Sequence, residues 1–134
     1  MSIAVQYINI TVHDVDAALP FYRDGLGLEV LNDVPAGEHR WLTLGSPEQP
    51  DVALVLSDPH AGRSKADGDL VGELLAKGTL LGPIIFRTDD LDSTFEKVRQ
   101  TGAEVMQEPS DQPWGPRDCA FRDPSGNHVR ISQA

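Results

Sequence analysis

Two tryptophans, four histidines and a single cysteine are the side chains of this 134-residue sequence best suited to chemistry. Trp114 stands in Gln112-Pro113-Trp114-Gly115-Pro116, a loop in which Pro113, Gly115 and Pro116 hold an indole. Such a ring offers a large apolar area and a polarised face, which suits stacking on another flat ring. Trp41 lies in a strand-like segment and could either stack in the same way or pack in the core. Cys119 as a nucleophile would need a base, and His128 qualifies if both lie on one face of neighbouring strands. An isolated cysteine is more often a small side chain filling a sheet. His13 and His60 fall in polar turns and read as solvated loop residues, leaving His39 and His128 for an interior. Asp67-Gly68-Asp69 lacks the regular ligands and terminal Glu of a calcium loop, and Gly25-Leu26-Gly27 lacks the third glycine of a dinucleotide fingerprint.

These residues must be positioned by short elements. Residues 7–12, Tyr-Ile-Asn-Ile-Thr-Val, alternate as a strand with Ile8, Ile10 and Val12 on one face and Tyr7, Asn9 and Thr11 on the other. Asp14 is placed to cap a helix over 15–24, stopped by Gly25 and Gly27, and Pro20 should kink it. Strands are expected at 28–32, 40–44 and 52–57, with 45–50 as a turn. Residues 58–69 are polar and aperiodic, the best candidate for a mobile linker, with a short helix near 70–77.

The second half repeats the first. Ile84 and Phe86 alternate, Asp89 and Asp90 precede a helix over 91–100, Gly102 stops it, and a strand begins at Ala103-Glu104-Val105-Met106. Asp14-Val15-Asp16 recurs as Asp90-Leu91-Asp92, and Gly27-Leu28-Glu29-Val30 as Gly102-Ala103-Glu104-Val105. A repeat of this length, in which strand, cap, helix stop and next strand recur in order, implies two similar modules packed as one unit. The expectation is one domain over 1–134, with module 1 at about 1–57, a linker at about 58–81 and module 2 at about 82–134.

Composition limits the partners. Eleven Lys and Arg against twenty-one Asp and Glu give a formal charge of −10, so no basic surplus is available for nucleic acid or an anionic membrane. One cysteine excludes an internal disulfide and a Cys-rich zinc fold. No apolar run approaches the roughly 18 residues needed to span a bilayer, and the first residues carry no basic segment leading into an apolar stretch. A cytoplasmic protein with a reduced thiol is expected.

Asp14-Val15-Asp16-Ala17-Ala18 with Phe21-Tyr22-Arg23-Asp24-Gly25-Leu26-Gly27, and later Phe121-Arg122-Asp123-Pro124-Ser125-Gly126-Asn127, resemble the two signature segments of the vicinal oxygen chelate superfamily, which includes glyoxalase I, extradiol dioxygenases and antibiotic-resistance proteins. Gln112-Pro113-Trp114-Gly115, followed by Arg117 and the Asp-Pro-Ser-Gly-Asn turn, is most similar to the bleomycin-binding resistance proteins, with Pro116 as an apparent insertion. The resemblance implies an α+β fold of two βαβββ modules, their mixed sheets curled around a cavity and commonly completed in a homodimer. Alternation then puts Tyr7, Asn9 and Thr11 inward from the first strand, and Pro83, Ile85 and Arg87 from its repeat. In the hairpin 117–122 to 127–132, Ala120, Val129 and Ile131 face the helices, with Arg117, Cys119, Phe121, His128 and Arg130 inward.

Metal-dependent members bind a divalent ion with His and Glu from four strands. Position by position, those places are Tyr7, Val55, Pro83 and Arg130 here. Arg carries a permanent charge, and Val and Pro offer no side-chain donor, so no metal and no cofactor are expected. No paired carboxylates fall on the inferred cavity face, and no catalytic residue is assigned. The leading expectation is a metal-independent protein that sequesters a small aromatic drug or natural product at a homodimer interface. Trp114 and Trp41 would stack, Arg117 and Arg130 would hold polar oxygens, and Tyr7, Asn9, Phe121, Arg87 and His39 would complete the site. Pairing of these arginines with Asp118, Glu38 or other acids is the structural alternative. A metal-dependent lyase, isomerase or dioxygenase on the same scaffold is the alternative function.

Overall fold

Acidic caps start both long repeats of the pattern. Asp14 accepts a hydrogen bond from the Asp16 N–H and Asp90 from the Ser93 N–H, satisfying donors that the first helical turn leaves free. In the computed structural model, which describes residues 2–134, the first half runs β1 (Tyr7–Thr11), α1 (Val15–Leu19), β2 (Glu29–Ala36), β3 (His39–Ser46) and β4 (Gln49–Ser57). After α2 (Lys65–Ala76), the second runs β5 (Ile84–Thr88), α3 (Leu91–Gln100), β6 (Glu104–Gln112), β7 (Gly115–Arg122) and β8 (His128–Gln133). Each half makes a four-stranded open sheet, ordered β1-β4-β3-β2 and β5-β8-β7-β6. In both, first and last strands pair parallel and the others antiparallel. This is the α+β arrangement of two βαβββ units that the family resemblance implies.

Pro20 changes its helix in a specific way. Lacking an N–H, it cannot close the α-helical ladder, and Pro20–Gly25 widens into a π-helical turn in which the Leu26 N–H reaches the Phe21 carbonyl at 3.0 Å. Gly27, at φ +77°, takes the left-handed conformation that ends the segment. Gly25 does something else. A Cβ there would stand 3.2 Å from Val98 Cα and from Thr101 Cγ2, so its absence lets the helical segments of the two halves touch.

One core serves both halves. Phe21 meets Phe121 edge-on at 6.3 Å, and Phe121 meets Phe95 at 5.3 Å, joining the first helical segment, β7 and α3. The two signature segments also interlock. Asp123 Oδ1 accepts from the N–H groups of Ser125, Gly126 and Asn127, while Oδ2 accepts from Tyr22 Oη at 2.6 Å and Asn127 Nδ2 at 2.9 Å. Asn127 Nδ2 donates as well to the Thr11 carbonyl, and the His13 N–H donates to Ser125 Oγ. A turn of one module therefore satisfies buried polar groups of the other, which such groups require.

Three expectations change. Residues 58–69 are not without regular structure throughout: Ser64 caps α2 by accepting from the Asp67 N–H, so that helix begins at Lys65 rather than near 70. The strands of the first half are longer than periodicity suggests, because turns at 37–38 and 47–48 need only two residues each. Ile8, expected to pack, is 49% exposed at the outer end of β1.

Candidate functional site

Each sheet has one face on the shared core and one face away from it, and register assigns the side chains. In the first sheet, Tyr7 pairs with Ala53, Asn9 with Val55 and Thr43 with Val55, while Ile10 and Leu42 pair with buried Leu56. Tyr7, Asn9, Trp41 and Thr43 thus share the outer face, as alternation requires. Trp41 does not pack in the core: it is 38% exposed, beside Val34 of β2, which is also exposed. Asn9 Oδ1 accepts from Ser57 Oγ at 2.7 Å, which fixes its amide. His39 Nδ1 lies 2.7 Å from Asp58 Oδ2. A carboxylate can only accept, so Nδ1 carries the hydrogen in neutral His39 and Nε2 is left as an acceptor.

The second sheet carries more charge. Ile85 pairs with Arg130, Arg130 with Ala120, Arg87 with Ser132 and Ser132 with Asp118, so all six share the outer face. Ala120 is small, and above it Arg130 of β8 reaches Gln107 of β6, Nη2 donating to Oε1 at 2.8 Å. Arg130 Nε donates to Asp118 Oδ2 at 2.9 Å, and Asp118 Oδ1 accepts from Gln107 and Gln112. Burial alone would raise the Asp118 carboxyl, but hydrogen bonds from Arg130, Gln112 and Gln107 outweigh it and hold the pKa below the ordinary value. His128 Nε2 lies 3.4 Å from Arg130 Nη1, and partial burial and then Arg130 and Arg122 push its pKa down, which favours the neutral ring. Arg130 is thus a planar, charge-compensated plate. Trp114 projects from the turn between β6 and β7 and is 74% exposed.

Arg117 and Phe121, both expected in the site, lie elsewhere, and so does Cys119, expected on the inward face. Cys119 pairs with Ile131 and Phe121 with Val129, so both face the helices, and both are fully buried. Arg117 shares their side of β7 and donates to Asp92 in the first turn of α3 at 2.8 Å. The expected facing of 117–122 was one residue out of step, which inverts every side chain of a strand; Val129, Ile131, His128 and Arg130 stand as expected. Ala120, expected against the helices, is on the outer face. Cys119 and His128 are therefore on opposite faces, and burial pushes the Cys119 thiol up to about 11. The pairing recurs in the first half, where Arg40 of β3 makes the equivalent bond to Asp16 in the first turn of α1, at 2.7 Å.

The four places where the resembling family holds a divalent ion can be tested on donor chemistry. Tyr7 and Val55 lie on the outer face of the first sheet and Arg130 on that of the second, with Pro83 just before β5. Val and Pro have no donor, and Arg130 is positively charged with its N–H groups engaged by Asp118 and Gln107. These residues do not fit such an ion. Among the described residues, no three His, Cys, Asp or Glu side chains gather at a spacing that could hold one. Open grooves of about 730 and 750 Å³ lie beside α2, lined by residues that include His13 and Ala76; the first also takes in Gly102 and Arg122 of the second half, and neither includes Trp41, Trp114, Arg87 or Arg130.

Fold and site together define a paired βαβββ protein whose outer sheet faces carry aromatic and polar side chains in place of metal donors. The chain belongs to the Glyoxalase/Bleomycin resistance protein/Dioxygenase superfamily, whose model matches residues 4–131. The crystal structure of UcmS2 is similar at 32% identity with a TM-score of 0.86, covering all of both chains. TnmS3, described as an antibiotic binding protein from Streptomyces sp. CB03234, is 31% identical with a TM-score of 0.74, covering 99% of this chain and 98% of that one. A probable lactoylglutathione lyase of Synechocystis sp. is 31% identical over 127 residues, 92% of this chain and 90% of the relative. No helix among the described residues is long and apolar enough to cross a membrane.

Proposed function

We propose that this protein binds a small planar aromatic molecule and sequesters it without a metal ion and without a covalent step. The observation that carries the reading is Trp114, an indole 74% exposed on the two-residue turn it forms with Pro113, held between the paired strands β6 and β7. Water-exposed indole costs free energy that a stacked ring recovers. The description of TnmS3 as an antibiotic binding protein supports the same class of ligand, a drug or natural product.

In this reading two copies pair as a homodimer in the cytoplasm, each outer sheet face covered by its partner. Exposed Tyr7, Val34 and Trp41 on the first sheet, and Ile85, Met106 and Trp114 on the second, support burial of this kind. Trp114 and Trp41 stack on the ligand, the Arg130 plate underlies it, and Tyr7, Asn9, His39 and Arg87 border it. Arg117 and Phe121 are left out, because one is bonded to Asp92 and the other lies in the core.

The relative named as a probable lactoylglutathione lyase favours a second reading, a metal-dependent lyase or isomerase. The donor chemistry at Tyr7, Val55, Pro83 and Arg130 argues against it. The test of the first reading is tryptophan quenching by planar probes such as anthraquinone derivatives. Trp114→Ala should weaken binding by more than about tenfold with unchanged circular dichroism. An unchanged affinity removes Trp114 from the site.

A further inference from the structure

The two ends of the second sheet's outer face differ in how their charges are satisfied. Most cations of the chain are engaged, as expected where acids outnumber bases twenty-one to eleven. Arg130 is held by Asp118, Arg117 by Asp92, Arg40 by Asp33 and Asp16, and Arg122 by the carbonyls of Gly78 and Gly126. Arg87 is different. Among the described residues it makes no ion pair and no side-chain hydrogen bond, and it is exposed.

Its place is fixed by the sheet. Arg87 of β5, Ser132 of β8 and Asp118 of β7 form one cross-strand row on the outer face. Two strand spacings, about 10 Å, separate the ends of that row. Asp118 stands at the far end of that row and is paired with Arg130, and it makes no ion pair with Arg87. The row lies at the end of β7 nearer the turn that carries Trp114, and next to it lies the Arg130 plate over Ala120. A flat ring system resting on that plate would place an edge substituent beside the Arg87 guanidinium and the Ser132 hydroxyl.

We propose that Arg87 selects the charge of the ligand: the planar molecule carries an anionic oxygen, a carboxylate or an ionised phenol, that pairs with this guanidinium. Arg130 is then a stacking and positioning residue, and Arg87 is the recognition cation. A guanidinium makes two parallel hydrogen bonds to a carboxylate, a stronger contact than a neutral amide can make at the same place. The net charge of −10 elsewhere repels an anion at long range, so the preference must arise at this contact and must fall with added salt.

This inference rests on the planar-ligand reading, and the experiment separates the two. Purified protein is titrated with anthraquinone-2-carboxylate and, in parallel, with the neutral anthraquinone-2-carboxamide, following tryptophan fluorescence. The expected result is a carboxylate affinity at least about tenfold above that of the carboxamide. In Arg87→Gln that ratio should collapse to near one, while Arg87→Lys should retain part of it. Arg23→Gln, on the helix surface beside Asp24, should keep the wild-type ratio. Equal affinities in wild type, or a ratio that survives Arg87→Gln, overturn the role of Arg87 and leave the planar-ligand reading standing. If neither probe binds, the planar-ligand reading falls and this inference with it.

Discussion

Replacing Tyr22 by Phe removes one oxygen and leaves the ring in place, which isolates the lock between the two signature segments. Tyr22 is fully buried, and its hydroxyl donates to Asp123 Oδ2 at 2.6 Å. Without it, Oδ2 keeps only Asn127 Nδ2, while Oδ1 retains its three backbone donors. A hydrogen bond to a charged acceptor contributes about 1.5–3 kcal/mol, and at this chain length that lowers Tm by about 5–12 °C. The assay is denaturant unfolding, where the midpoint should fall with unchanged slope. Tyr7→Phe is the control, since Tyr7 is 59% exposed and makes no side-chain hydrogen bond among the described residues. The pH dependence gives a second readout. Burial, and then the Asp123 charge, push the Tyr22 hydroxyl well above its ordinary pKa. A group whose pKa is higher in the folded state contributes stability that is complete below its unfolded value, about 10, and is lost as pH rises through the folded value. Wild type should therefore lose more stability above pH 10 than Tyr22→Phe. A variant within about 0.5 kcal/mol of wild type, or an identical alkaline loss in both, would refute the lock.

Other outcomes follow from the same contacts. Asp118→Asn should destabilise by about 1–3 kcal/mol at neutral pH, because Arg130 loses its counter-charge. The Asp118 pKa is lowered by folding, so its contribution is present above the unfolded value and lost as pH falls through the folded one; acid titration of both proteins should show the gap closing. Cys119, fully buried with its pKa pushed up to about 11, should resist iodoacetamide at pH 8 in the folded protein and react after denaturation, as intact mass would report. Arg117→Ala should change stability by about 1 kcal/mol or less, since its pair with Asp92 is exposed, and should leave probe affinity at the wild-type value.

The fold was legible because both halves use the same signals. Asp14 and Asp90 cap helices, Gly27 and Gly102 stop them, and alternation in β1 and β5 marks the core face. Two features were hidden. The facing of β7 turned on a single residue of register across the Asp123–Asn127 turn, and alternation alone cannot fix that when Ala120, Cys119 and Phe121 are all apolar. The start of α2 was masked because Lys65–Asp69 is polar, whereas its actual signal was the Ser64 cap. Of the candidate site, Trp114 could be picked out by type and loop chemistry, whereas Trp41 in its strand could be read either way. The partners of the arginines could not, because Asp118, Asp92 and Asp33 are chosen by tertiary geometry.

The central claim is that binding needs no metal ion. It is tested most directly by calorimetric titration of chelator-treated protein with anthraquinone-2-carboxylate, repeated after incubation with zinc or nickel and desalting. The account predicts the same affinity and stoichiometry in both, with less than about a tenth of an ion retained per chain. Binding that appears only after metal treatment, with near-stoichiometric retention of the ion, would contradict it.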